Sequence, residues 1–150
     1  MKKHIVSIIL ALFLINSCVK DDICIEPTTP NLIIRFHDIS DTLKVKKVAK
    51  LSVWAIGKDT IYKAVELDSI ILPLNLNGDE TIYKMVSDTF TDSLTVSYNK
   101  KDVFVSRSCG FKTIFENVEV NILSTSWIKE FRLKKQTIEN ENSAHITILH

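Results

Sequence analysis

Apolar residues fall on alternate positions through most of this chain, and that two-residue period constrains the fold more than any other feature. Leu32, Ile34 and Phe36 alternate with Ile33, Arg35 and His37; Leu51, Val53 and Ala55 with Ser52, Trp54 and Ile56; Leu94, Val96 and Tyr98 with Thr95, Ser97 and Asn99. Val118, Val120 and Ile122, and later Ala144, Ile146 and Ile148, repeat the pattern. Successive side chains of a strand point to opposite faces, so this period places one face in a core and the other in water. Further β-branched and aromatic runs cover 61–65, 70–76, 81–86 and 103–107, and 111–115 reads as a strand or one helical turn. The segment 127–138 reads as a long charged strand in which Trp127, Phe131 and Leu133 pack. Asn77-Gly78 is the strongest hairpin signal, and Asn99-Lys100-Lys101-Asp102 reads as the turn of another. Leu43–Lys50 is the best, though weak, helical candidate. About eight to ten strands at roughly ten-residue spacing make an all-β chain, with an antiparallel β-sandwich, Ig-like or related, as the expected fold and a barrel as the alternative.

The first residues follow another logic. Lys2 and Lys3 precede an apolar run from Ile5 to Ile15 interrupted only by Ser7. As a helix that run reaches roughly 16 Å, about half of a bilayer's hydrocarbon core, so it reads as a signal peptide helix rather than a span. Ile15-Asn16-Ser17-Cys18 resembles the bacterial lipobox, with Asn16 the less usual residue in it. The resemblance implies cleavage before Cys18, acylation of Cys18, and a membrane partner held through that lipid; two or more acyl chains hold far better than one. Val19-Lys20-Asp21-Asp22 resembles the Bacteroidota lipoprotein export signal, a Lys followed by acidic residues. It implies that Lys20, Asp21 and Asp22 direct the protein to the outer face of the outer membrane; a solvated tether on the periplasmic face is the alternative. The expected organisation is a signal peptide over 1–17, a lipidated cysteine and extended tether over 18–30, and one β-sandwich domain over 31–150. Glu26-Pro27-Thr28-Thr29-Pro30 carries two of the three prolines, which suits an extended tether.

The chain has three cysteines. With Cys18 assigned to lipid, Cys24 and Cys109 remain as an even pair in an oxidising compartment, where a disulfide is expected and two free thiols are the alternative. The chain-entropy model assigns closure of so long a loop about 4–5 kcal/mol. Formal net charge is +1, and removal of Lys2 and Lys3 turns it slightly acidic. No basic face is implied, so nucleic acid is not an expected partner.

Catalytic chemistry needs a nucleophile, a base and a stabilising group within reach of one another. Outside the leader the histidines are His37 and His145, both at strand ends and expected at the surface, and His150, expected to be mobile. His37, Asp38 and Asp41 sketch a metal site without the spacing of known ones. The three glycines, Gly57, Gly78 and Gly110, are too scattered to cradle a phosphate. Adjacent carboxylates, Asp21-Asp22 and Asp79-Glu80, point apart in an extended chain. No catalytic residue, metal or cofactor is assigned, and the chain is not expected to be an enzyme. Arg35 and Arg107 interrupt apolar runs, where an inward arginine needs a carboxylate and an outward one marks a face. Trp54, Arg107 and Trp127 are the candidate binding residues, the two tryptophans as a carbohydrate-stacking platform or, alternatively, as core.

From Cys18 almost to its end the chain is similar to an uncharacterised Bacteroidota lipoprotein family, a domain of unknown function. The residues that carry the likeness are Cys18-Val19-Lys20-Asp21-Asp22-Ile23-Cys24, Thr29 to Phe36, Leu72-Pro73-Leu74, Asp102 to Lys112, Ile138 to Asn142 and Ala144-His145-Ile146. The two-cysteine arrangement is part of it; an activity is not. The expected function is a non-enzymatic, membrane-anchored envelope lipoprotein that binds another envelope protein or serves as an accessory subunit. The alternative is a small-ligand or glycan-binding surface module; a hydrolase would need a concave cluster of His, Asp and Ser.

Overall fold

The computed structural model describes residues 23–25 and 29–150. The expected signal helix, Cys18, Lys20, Asp21 and Asp22 lie outside those residues. Among the described residues nine strands form: β1 (Leu32–His37), β2 (Val48–Ala55), β3 (Thr60–Leu67), β4 (Ser69–Leu72), β5 (Glu80–Ser87), β6 (Phe90–Ser106), β7 (Gly110–Ile122), β8 (Glu130–Leu133) and β9 (Ile146–Leu149). They build a four-stranded sheet, β4-β1-β9-β8, and a five-stranded sheet, β3-β2-β5-β6-β7. The alternating apolar residues explain the two layers. Leu32, Ile34, Phe36, Ile146 and Ile148 from the first sheet meet Leu51, Val53, Tyr83, Met85, Leu94 and Val96 from the second in one buried core. This is the expected β-sandwich, with one parallel pair, β1 with β9, in otherwise antiparallel sheets.

Where the apolar spacing slips from two residues to three, the backbone supplies a bulge. Val48 and Leu51 both point inward because Lys50 adopts a left-handed φ of 49° between them. Phe115 and Val118 do the same around Asn117, at φ 52°. A bulged residue sits outside the ladder and lets the strand regain its inward register.

Four local expectations are overturned. Asn77-Gly78 makes no hairpin: β4 pairs with β1 and β5 with β2 and β6, so residues 73–79 cross from one sheet to the other. Core hydroxyls hold this crossover in place of a partner strand. Tyr83 Oη donates to the Pro73 carbonyl, Tyr98 Oη donates to Asn75 O at 2.8 Å, and Thr81 Oγ1 accepts from Asn75 N at 2.9 Å. Asn99–Asp102 makes no turn either. β6 runs through it, paired with β7, while Lys100 reaches Asp79 at 3.3 Å and Lys101 reaches Glu116 at 2.9 Å. Polar turn-forming residues are tolerated there because their side chains face solvent and carboxylates. The hairpin that does join β5 to β6 turns at Asp88, φ 56°. Leu43–Lys50 divides into a loop and the start of β2, and only 130–133 of the long charged segment is strand.

Open sheet edges invite further strands, and here a side chain bridges the edge strands on one side and a chain crossing covers part of β7 on the other. The Tyr62 hydroxyl, on β3, accepts from Ile71 N at 3.0 Å and donates to Ile71 O at 3.2 Å on β4. On the opposite side the segment after β8 crosses to β7: Phe115 and Ile138 exchange backbone hydrogen bonds, and Val118 N donates to Gln136 O.

Candidate binding ends of the sandwich

The strand registers give the sandwich two distinct ends. Leu32, Leu72, Glu80 and Ser97 lie toward one; His37, Ser87, Phe90 and Ile122 lie toward the other. The chain enters at the first end, where Thr29 Oγ1 accepts from Thr113 N at 3.1 Å.

At that entry end β6 and β7 continue past the last β5 pair, Glu80 with Ser97, as a two-stranded arm. The nine residues beyond Ser97, to Ser106, extend it roughly 30 Å. Its tip is the turn 107–109, tightened by Ser106 Oγ, which accepts from Cys109 N at 3.1 Å. Cys109 is disulfide-bonded to Cys24, with Cα atoms 4.9 Å apart, so the expected pairing joins the arm tip to the start of the chain. Arg107 is exposed at the tip. Phe104 and Phe111 face each other across the arm, ring centroids 5.5 Å apart in an edge-to-face arrangement, and both are exposed.

Beside the arm's base, the β2–β3 turn and the 73–79 crossover enclose an open cleft of about 710 Å³. Ile56, Ile61, Pro73, Leu74, Leu76 and Ile82 line it, with Lys58, Asp59 and Glu80 at its rim. Such a lining suits an apolar or amphipathic ligand.

The other end carries a different set. Leu43, in the loop after β1, Phe90, at the β5–β6 turn, and Leu123, after β7, are exposed.

The sequence-derived candidates do not converge. Trp54 is half-buried on β2, and because its neighbour Val53 points into the core, its indole lies on the outer face of the five-stranded sheet beside Thr60 and Lys84. Trp127 is only 8 % exposed. Its ring packs against Phe36 and His150, at 6.1 and 5.9 Å between centroids, and Nε1 donates to Met85 O at 3.1 Å. With its apolar body enclosed and its N–H satisfied, Trp127 is core and offers no stacking face. Arg35, like Arg107, points outward and is exposed.

The histidines also differ from expectation. His145 is buried rather than superficial: Nδ1 accepts from Ile33 N at 2.9 Å, so the proton sits on Nε2, which donates to Asn140 O at 2.9 Å. His150 is held rather than mobile, its backbone bonded to His37 and Ile39 and its ring against Phe36 and Trp127. His37 Nδ1 donates to Thr42 O at 2.8 Å. Asp38 accepts from Ser40 N, and Asp41 from Leu43 N. These three side chains serve local turns, and no group of three potential metal ligands gathers among the described residues.

Burial lowers the pKa of His145 and of His150 from the ordinary 6.5; for His145 it outweighs the opposing bond to Asn140, and for His150 the one to Lys46. Below about pH 6.5 the unfolded chain therefore binds protons that the folded one refuses, so stability falls as the pH drops through the ordinary value and levels off below the folded values. Urea midpoints measured between about pH 8 and pH 5 should decline across this window, and a flat profile would contradict the buried, neutral His145.

Asp92 escaped the reading of the sequence. It is fully buried, yet its carboxylate accepts three backbone N–H bonds, from Ser126 at 2.7 Å, Trp127 at 2.9 Å and Ile128 at 2.8 Å. Burial pushes its pKa up, but the three N–H groups together outweigh it and leave the carboxyl below the ordinary range. Its position was the available signal, since Asp92 shares the inward register of Leu94, Val96 and Tyr98.

A family model described as a family of unknown function (DUF6452) matches residues 50–150, from within β2 through β9. Comparison with curated proteins and with solved structures finds no match.

Proposed function

The chain belongs to the DUF6452 family, a family of unknown function, and from that premise we propose that it is a lipid-anchored envelope protein that binds another envelope protein rather than catalysing a reaction. The observation that carries the anchored reading is the disulfide. Cys24 and Cys109 are joined, such bonds persist in oxidising compartments, and Cys18, behind a leader of secretory form, lies six residues before Cys24. Lys20, Asp21 and Asp22 favour the outer face of the outer membrane in a Bacteroidota-type envelope, with the periplasmic face as the alternative.

Replacing Cys18 with serine should move the protein completely from the membrane fraction to the soluble fraction and abolish its labelling with radioactive palmitate. A variant that stays in the membrane and still takes up label would overturn the anchor.

A protein partner fits the end away from the tether, where Leu43, Phe90 and Leu123 are exposed. The partly covered edges of β4 and β7 favour contact through this end over strand addition there. Purified from its own membranes in mild detergent, the wild-type protein should bring a partner in near-equal amount, and Phe90→Ser with Leu123→Ser should lose it.

A small-ligand reading has its own support in the 710 Å³ cleft, whose size lies within the usual range for ligand pockets. Glycan stacking is left with Trp54 alone.

A further inference from the structure

Resting on the anchored reading, we propose that the tip of the β6–β7 arm docks into the surface of the membrane that holds the anchor, with Phe104 and Phe111 in the lipid interface and the Cys24–Cys109 bond holding them there.

Chain length makes the first part of the case. Cys24 follows Cys18 by six residues, so it cannot stand more than about 20 Å from the acylated cysteine. The disulfide carries that limit onto the arm tip at Cys109. Without it, the nearest held point would be Thr29, bonded to Thr113 on β7, and the leash from Cys18 would reach about 38 Å. The bond therefore does more than close a loop. It halves the leash and selects which end of the sandwich meets the bilayer.

The surface chemistry around that bond makes the second part. Ile23 and Ile25, on either side of Cys24, are 82 % and 89 % exposed. On the arm, Phe104 is 59 % and Phe111 69 % exposed, although they are registered partners stacked edge to face. In a two-stranded ribbon such a pair occupies one face. The neighbours on the opposite face do pack: Ile114 is buried, and Lys112 Nζ donates to Glu139 O at 3.1 Å. On the pair's own face the packing ends at Phe115, which is buried, so the arm carries Phe104 and Phe111 past the covered part of that face and leaves them exposed. Arg107, exposed at the tip, supplies a cation at the level where lipid phosphates would lie. Exposed apolar side chains beside a cation, held close to an acyl anchor, suit an interfacial membrane contact.

The test uses the full, lipidated protein reconstituted into vesicles of phosphatidylethanolamine and phosphatidylglycerol. Phe104→Trp and Phe111→Trp each add an indole at an exposed position, and the wild-type signal is subtracted as background. The added emission should shift to the blue, lose most of its intensity in vesicles whose acyl chains are brominated, and resist quenching by acrylamide from the water. In a Cys24→Ser/Cys109→Ser background the protein should still float with the vesicles while the added indole becomes open to acrylamide. If the protein floats but both indoles are quenched from the water and ignore the bromines, the docking proposal is wrong and the anchor stands. If bromine quenching survives loss of the disulfide, the role given to the bond is overturned. If the protein does not float at all, the anchored reading fails and the docking proposal falls with it.

Discussion

Asp92→Ala is expected to cost about 3 kcal/mol or more of folding stability, the largest effect of any polar substitution in the described fold. The reason is the asymmetry between forming a hydrogen bond and orphaning its partner: each buried donor left unsatisfied costs about 1–3 kcal/mol. Here Ser126, Trp127 and Ile128 all direct their N–H groups at one carboxylate. Set against a typical domain stability of about 5–15 kcal/mol, the change should lower the melting temperature by on the order of 10 °C. Asp92→Asn should cost less. An amide oxygen in the place of Oδ2 keeps the bonds from Trp127 and Ile128, and the amide nitrogen then meets only the N–H of Ser126, which is exposed. Urea unfolding of the two variants checks this order, and equal losses would count against the three-bond arrangement.

Trp127→Ala should be comparably severe, at about 3–5 kcal/mol, because it empties the space between Phe36, His150 and the β5 backbone and leaves the Met85 carbonyl without its donor. Asp92 bonds the Trp127 N–H, so the two residues share one local structure, and their double substitution should cost less than the sum of the single ones. A strictly additive pair would mean that the carboxylate and the indole stabilise separate parts of the fold. In the intact protein, emission from Trp127 should resist acrylamide while emission from the half-buried Trp54 does not.

The layers of the sandwich were legible in the sequence because a two-residue apolar period has one structural meaning. Leu32, Ile34 and Phe36 on β1 and Leu94, Val96 and Tyr98 on β6 are inward where the alternation put them. The connections were less legible, since turn chemistry reports a change of direction without saying which strand receives the chain. Asn77-Gly78 does lie in a bend, but Tyr83 and Tyr98, buried in the core, bind the crossover, and their hydroxyl bonds leave no trace in local composition. At Asn99–Asp102 the polar run resembles a loop, and only pairing with β7 shows it to be the base of an arm. Pairing between distant segments likewise decided the histidines. His145 looks like any strand-end histidine until Ile33, far away in the sequence, presents its N–H. The exposed pair Phe104 and Phe111 was implicit in the alternation with Val103 and Val105, yet that the two rings meet depends on a register that the sequence does not announce.

The parallel pairing of β1 with β9 bears on how the protein comes into being. β1 lies between β4 and β9 in the smaller sheet, so the first strand of the domain completes its ladder only with residues 146–149. Contacts between such distant segments make folding slow, because the entropy of closing the loop is lost before the contacts compensate for it. A chain threaded through a membrane from its N-terminus would present β1 early and wait for β9 until almost the last residue had crossed. The four-stranded layer cannot be completed before residues 146–149 are available, so a chain delivered in that way would lack one finished layer of its core until nearly the last residue had arrived.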